Sequence, residues 1–292
     1  MAFDPRVLAA GWKALRPFSL VIAGSSCILG AVLAFHDGSR DWINAAAALV
    51  AGLCLQAGVN LINDFSERGL ALDAPGGPRA AGVERDSTQW LIFCAGLAVM
   101  AAAAPLGVFI AWRAGWPIII LGLVGFIGGY FYTGEPFNYK RRGMGPLFVF
   151  FLMGVFMIAG TYYAVRGAFS WTAVLASIPL STLVSLILLA NELRDHERDR
   201  RLGIRTMTVR IGYQGAVRVF FALLVLAYGS AALLSAFAVV PHLKFIFFAV
   251  PFAVPPAALA FRPPGGRIRI IPLIMLHHFA FGALYALTYI FS

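Results

Sequence analysis

The sequence predicts an all-α, polytopic membrane protein: nine transmembrane helices in one membrane-embedded domain over residues 1–292. Three observations predict it. The 292 residues are 60% hydrophobic and 12% charged, with mean hydropathy +0.82; a soluble domain carries about twice that charged share. Apolar stretches of spanning length recur along the whole chain. The basic residues crowd into alternate loops between those stretches.

In order, the spans run over residues 18–36, 43–62, 89–111, 115–133, 145–164, 170–190, 216–239, 244–261 and 270–291. The first follows "MAFDPRVLAAGWKALRPFS", which does not read as a cleaved leader, because the next apolar run is span-length and no clear cleavage site follows. The second ends in "NLINDFSERGLALD", Asn60 to Asp73. The fourth leads into "YTGEPFNYKRRGMG", and the fifth carries Gly160-Thr161-Tyr162-Tyr163. The sixth runs on into "NELRDHERDRRLGIRTMTVRIG". The seventh and eighth contain no acid, and the ninth holds His277-His278. Adjacent histidines point to different faces of a helix, which argues against a shared metal. Gly128-Gly129 and Gly160-Thr161 are small enough for close helix approach.

Nineteen of the 23 Lys and Arg fall in the N-terminal tail and in the loops after spans 2, 4, 6 and 8; the other face has Arg40, Arg113, Arg166 and Lys244. This partition predicts a cell-membrane protein whose N-terminus and acidic loops are cytoplasmic and whose C-terminus is outside. All six tryptophans lie at or near span ends, the expected interfacial belt. Cys27, Cys54 and Cys94 fall inside spans and read as small hydrophobes, with no disulfide or zinc spacing. The formal charge of +10 is mostly the topology signal rather than a nucleic-acid footprint.

Two acidic clusters stand out at one membrane face. Asn60, Asp64 and Glu67 are spaced i, i+4, i+7, and Asn191, Asp195 and Asp199 are spaced i, i+4, i+8, so each set lies on one helix face. They end spans 2 and 6, four spans apart, which suggests two four-helix repeats plus a ninth helix. One such cluster alone reads as solvated anchoring charge. Two matched clusters need a cation between them, and carboxylate and amide oxygens suit Mg²⁺. Basic residues alternate with the acids: Arg68, Arg194, Arg198 and the run Lys140-Arg141-Arg142. Acids for metal and bases for phosphate, at the mouth of an apolar bundle, point to a lipid diphosphate.

Asn63-Asp64-Phe65-Ser66-Glu67 and Asp195-His196-Glu197-Arg198-Asp199 resemble the paired acidic motifs, roughly NDxxD and DxxxD, of the UbiA superfamily of intramembrane aromatic prenyltransferases. The resemblance covers nearly the whole chain. The loop after span 6, the Tyr132–Gly145 segment with its later Gly-Thr-Tyr-Tyr, and the spacing out to Asp73 are similar to the 1,4-dihydroxy-2-naphthoate polyprenyltransferase branch of menaquinone biosynthesis. The chain departs from that branch at Glu67 (usually Asp), Glu135 (Gly), Pro146 (Glu) and Ile204 (Lys). Its "GGPRAAGVERDSTQW" lacks the branch's Gln-Ser-Gly. That last departure bears on the acceptor more than on the reaction type.

The resemblance implies transfer of a polyprenyl group from its diphosphate to an aromatic acceptor, with Mg²⁺ as cofactor. The acceptor is 1,4-dihydroxy-2-naphthoate, with loss of its carboxylate as CO₂, if the branch holds. It implies metal ligation by Asn63, Asp64, Glu67, Asp195 and Asp199, and diphosphate contact by Asn60, Asn191, Lys140, Arg142 and Arg68. Asp64, Asp195 and Lys140 are the catalytic candidates, with Asp73 for proton removal or for holding the loop. Arg205 and Arg210 fit either a clamp or the topology signal. Tyr132 fits either cation stabilisation through its π face or the interfacial belt. Other acceptors of the same family, such as 4-hydroxybenzoate, homogentisate or a haem or chlorin ring, are the alternative within the class. A membrane carrier is the alternative outside it, but no charged residue falls mid-span, where carriers place theirs.

Overall fold

The structure is a computed structural model that describes residues 5–73 and 86–292, with side chains over 10–69 and 86–292. Its described residues are helical or in turns, and none is in a strand. Chain order is α1 (Pro5–Leu15), α2 (Pro17–His36), α3 (Trp42–Asp73), α4 (Ser87–Ala101), α5 (Ala103–Ala114) and α6 (Pro117–Tyr130). There follow α7 (Gly145–Val149), a π-helical stretch (Phe150–Val155), α8 (Phe156–Arg166), α9 (Trp171–Arg201), α10 (Met207–Ala236), α11 (Lys244–Phe247), α12 (Val250–Leu259) and α13 (Ile270–Ile290). Seven of the described helical segments are long and apolar enough to cross a membrane. Two shorter ones, Pro117–Tyr130 and Lys244–Leu259, bring the apolar segments to the expected nine.

Local chemistry sets the breaks. Arg16 takes a left-handed conformation (φ 50°) and Pro17 opens α2, so α1 turns sharply into it. Asp41 accepts the Asn44 N–H at 2.9 Å, Asp86 the Gln89 N–H at 2.7 Å and Ser170 the Ala173 N–H at 3.2 Å, satisfying first-turn donors of α3, α4 and α9. The eighth apolar segment contains Pro251, Pro255 and Pro256 and splits into α11 and α12. The fifth passes through the π-helical stretch, where Gly154 lets the backbone close on Ser181; a Cβ there would stand 2.4 Å from the serine side chain.

The most enclosed span is α9, 78% buried over an apolar 18-residue stretch against 22% for α10. Its Leu180, Leu183, Leu186, Leu189 and Leu193 are fully enclosed by residues of α2, α8, α10 and α13. Outward faces are apolar, and all six tryptophans are exposed, as lipid-facing and interfacial side chains should be. Gly128 and Gly129 do permit close approach, to Leu152 and Val59. Gly160 does not, since Leu121 leaves ordinary room there; the tight contact is made at Gly30, by the Ile158 carbonyl and Thr161.

The two long helices α3 and α9 have 32 and 31 residues. Each overruns its apolar stretch and carries an acidic cluster beyond it, at corresponding places in the two sets of four spans. At the other face Arg113 pairs with Asp41 at 2.8 Å, and Tyr162 donates to Asp37 at 2.5 Å.

Candidate active site

The acidic ends of α3 and α9 converge on the loop joining α6 to α7. That loop, residues 131–144, is held by its own hydrogen bonds. The Tyr139 and Lys140 N–H groups donate to Phe131 and Tyr132 carbonyls at 3.2 and 3.1 Å, and Ser66 of α3 donates to the Thr133 carbonyl at 3.4 Å. Burial pushes the Tyr139 phenol up from its ordinary value, so it stays a neutral donor, giving its proton to the Gly128 carbonyl at 2.7 Å.

So braced, the loop aims Lys140 inward. Its ammonium donates to Glu67 at 2.5 Å and to Asn63 at 3.4 Å, and lies 5.6 Å from the centre of the Tyr132 ring. Glu67 also accepts from Arg16 at 2.9 Å, and the Asn63 amide lies against the same guanidinium. Asp64 is paired with Arg68 at 2.6 Å, and Asp195 with Arg194 through two bonds of 2.8 and 2.5 Å.

The buried Tyr132 joins the two clusters. Its phenol lies within the electrostatic reach of Glu192 and Asp199 from α9, Glu67 from α3 and Arg16. Asp199 in turn feels Lys140, Asp195 and Glu67. Buried to 7% exposure, Asp199 has no ion-pair partner among the described residues, and a buried carboxylate in that position calls for a cation.

Not every expected residue faces this centre. Asn60 spends its amide on the fold: its nitrogen donates to the Leu15 carbonyl at 2.7 Å and to Ser19 at 2.6 Å, and its oxygen accepts from Gln56 at 3.0 Å. Asn191 donates to the Ile187 carbonyl at 3.2 Å. Arg142 is exposed and donates outward to the Pro136 carbonyl at 3.1 Å. Arg205 is exposed; its carbonyl accepts from Arg210, which also donates to the Arg141 carbonyl at 3.2 Å, so Arg210 staples the loop after α9 to the loop after α6. The Asp73 side chain, and the 76–85 part of the altered "GGPRAAGVERDSTQW" loop, lie outside the described residues. The two histidines go separate ways, His277 to Tyr228 and His278 to Ser25, each at 2.8 Å.

Sequence reasoning missed two residues. Arg16 counted only toward topology, and reaches Glu67 because α1 breaks at residue 16. Glu192, next to the motif asparagine, is 4% exposed and accepts the Thr208 N–H at 3.1 Å; its other oxygen is unpaired and points at Gly145, beside Tyr132. An acid one residue off the cluster's face gave no spacing signal.

The donors fit a divalent hard cation: carboxylates of Asp64, Glu67, Asp195 and Asp199, with the Asn63 amide. Among the described residues no three acids, histidines or cysteines are gathered as ligands; Lys140, Arg16, Arg68 and Arg194 pair with every one of these carboxylates except Asp199.

The profile of the UbiA prenyltransferase family matches residues 24–263. The 1,4-dihydroxy-2-naphthoate octaprenyltransferase of Bacillus subtilis (strain 168) is 31% identical over 82% of this chain and 78% of its own length. The enzyme of that name from Mycobacterium tuberculosis is 30% identical over 70% and 73%. A UbiA homolog from Archaeoglobus fulgidus, solved bound to GPP and Mg²⁺, superposes with a TM-score of 0.60 at 17% identity, covering 94% of this chain and 99% of that one. That likeness concerns the fold, and it agrees with the profile and the sequence relatives: the chain belongs to the UbiA prenyltransferase family.

Proposed function

We propose that the protein transfers a polyprenyl group from an allylic polyprenyl diphosphate to 1,4-dihydroxy-2-naphthoate, with loss of CO₂, as a step of menaquinone biosynthesis. The observation that carries the reading is the meeting of two acidic helix ends around Lys140 and Tyr132. The relatives' names support the acceptor.

Mg²⁺ is the proposed cofactor, held by Asn63, Asp64, Glu67, Asp195 and Asp199; bound there, it supplies charge to neutralise the departing diphosphate. The chain's own cations do the rest of that work. Without substrate, Lys140, Arg16, Arg68 and Arg194 neutralise the acids. With diphosphate present, the same cations are the nearest donors to its oxygens, so acids and bases exchange partners at little electrostatic cost. Lys140 is central because it already touches both Glu67 and the Tyr132 ring. The Tyr132 face is positioned to stabilise an allylic cation as the carbon–oxygen bond breaks. The electron-rich ring carbon of the acceptor then attacks that cation, and the acceptor carboxylate leaves as CO₂. The apolar bundle holds the hydrocarbon chain and excludes water, which would otherwise capture the cation.

The whole chain acts as one membrane-embedded unit, with the N-terminus and the acidic ends at the cytoplasmic face. The arginine and lysine bias supports this orientation. The test is product analysis with purified protein, a polyprenyl diphosphate, Mg²⁺ and a panel of aromatic acids. A decarboxylated prenyl-naphthoquinol is expected. Turnover with 4-hydroxybenzoate or homogentisate alone would keep the transferase and discard the naphthoate acceptor.

A further inference from the structure

A second basic site lies on the far side of α9. One residue advances a helix by about 100°, so Asp195 and Asp199 face the acidic centre while Glu197, Arg200 and Arg201 face away from it. Those three, with His196, form one wall of a cleft of about 860 Å³; Tyr213 of α10 and the segment from Phe261 to Arg267 form the rest. The volume falls within the range of small-molecule pockets.

Its floor is built, not merely solvated. Arg267 is 2% exposed. Its guanidinium donates to the Leu193 carbonyl at 2.5 Å and to Glu197 at 2.6 Å, and lies 4.3 Å from the centre of the Tyr213 ring. Its Nε has no partner. His196, 8% exposed, also lines the cleft, with Nδ1 unpartnered. Above this floor Arg200, Arg201 and Arg262 are exposed at the rim. Four arginines thus face one glutamate, an arrangement in want of an anion.

The anion's class follows from the surroundings. Guanidinium groups match the oxygens of a phosphate in fixed fork geometry. Beside them stand Phe261, 67% exposed, and Pro263 and Pro264, an apolar wall at the end of a membrane span. Phosphate next to exposed hydrocarbon at headgroup depth describes a phospholipid. We propose that this cleft binds the phosphodiester headgroup of an anionic membrane phospholipid, separately from the diphosphate site.

The test titrates phosphatidylglycerol or phosphatidylcholine into the detergent-purified full-length chain and counts retained lipid by native mass spectrometry. Retention of phosphatidylglycerol over phosphatidylcholine is expected. The triple change Arg200→Gln, Arg201→Gln, Arg262→Gln should weaken it about fivefold per arginine, about a hundredfold in all. Lys140→Gln should leave it unchanged. The proposal is overturned if the two lipids are retained equally or if the triple variant retains phosphatidylglycerol like wild type. It is also overturned if Lys140→Gln removes the lipid as strongly, which would put it in the acidic centre, or if equimolar inorganic phosphate displaces it, which would make the cleft a free-phosphate site.

Discussion

At the residue scale, the acidic centre is a set of ion pairs that the proposed reaction would exchange for metal and diphosphate. Glu67 holds both Lys140 and Arg16, in sites 14–39% exposed, so each cation is partly desolvated and restrained. Replacing Lys140 by Met should cut kcat/KM for the prenyl diphosphate by about a hundredfold, in line with losing one donor to a developing anion; steady-state kinetics on the folded variant checks it. Arg16→Met should cost about tenfold or more in the same assay. Unchanged kinetics would return Arg16 to a purely topological role. Lys140 was legible in the sequence because it sits in a basic run between two acidic segments. Arg16 was not, because its partner is 51 residues away and only the break between α1 and α2 brings them together. Glu192 was hidden for a different reason: it is buried against Gly145, which spacing does not encode.

At the element scale, α3 and α9 explain most of what the sequence predicted correctly. A 3.6-residue period with polar residues at i, i+4 and i+7 or i+8 fixes a face regardless of what packs elsewhere, so continuation of both helices past the membrane was readable. Finer assignments were harder to read where a side chain could serve either ligand or fold. Asn60 shares the acidic face yet ties α3 to the turn between α1 and α2. Asn60→Leu should therefore lower stability by about 2–3 kcal/mol, through unpaired buried partners at Gln56 and the Leu15 carbonyl. It should leave the metal requirement of the remaining activity unaltered. Thermal unfolding alongside a Mg²⁺ titration separates the two roles. The α3–α4 contact is closer still: a Cβ at Gly58 would fall 2.1 Å from the Met100 side chain and 2.6 Å from the Gly96 carbonyl. Gly58→Leu should prevent that packing and reduce the yield of folded protein in a size-exclusion assay.

At the scale of the whole molecule, the arrangement divides labour between a water-excluding apolar bundle and a charged rim at one membrane face. Composition and basic-residue bias revealed the class and the nine apolar segments, since lipid imposes length and sidedness on any spanning chain. They could not reveal that the fourth is a 14-residue helix and that the eighth breaks into two pieces, because local prolines and packing decide those. Orientation is testable directly: a cysteine introduced by Glu135→Cys should react with a membrane-impermeant maleimide only from the cytoplasmic side, in a background with the three native cysteines replaced. The central claim is that α3 and α9 each supply half of one metal–diphosphate site. It is tested most directly by measuring prenyl transfer to 1,4-dihydroxy-2-naphthoate in Mg²⁺ for wild type, Asp64→Asn and Asp195→Asn. The account predicts that each substitution alone lowers kcat by about a hundredfold or more in folded protein, and that chelation abolishes wild-type turnover. Near wild-type turnover in either variant would contradict it.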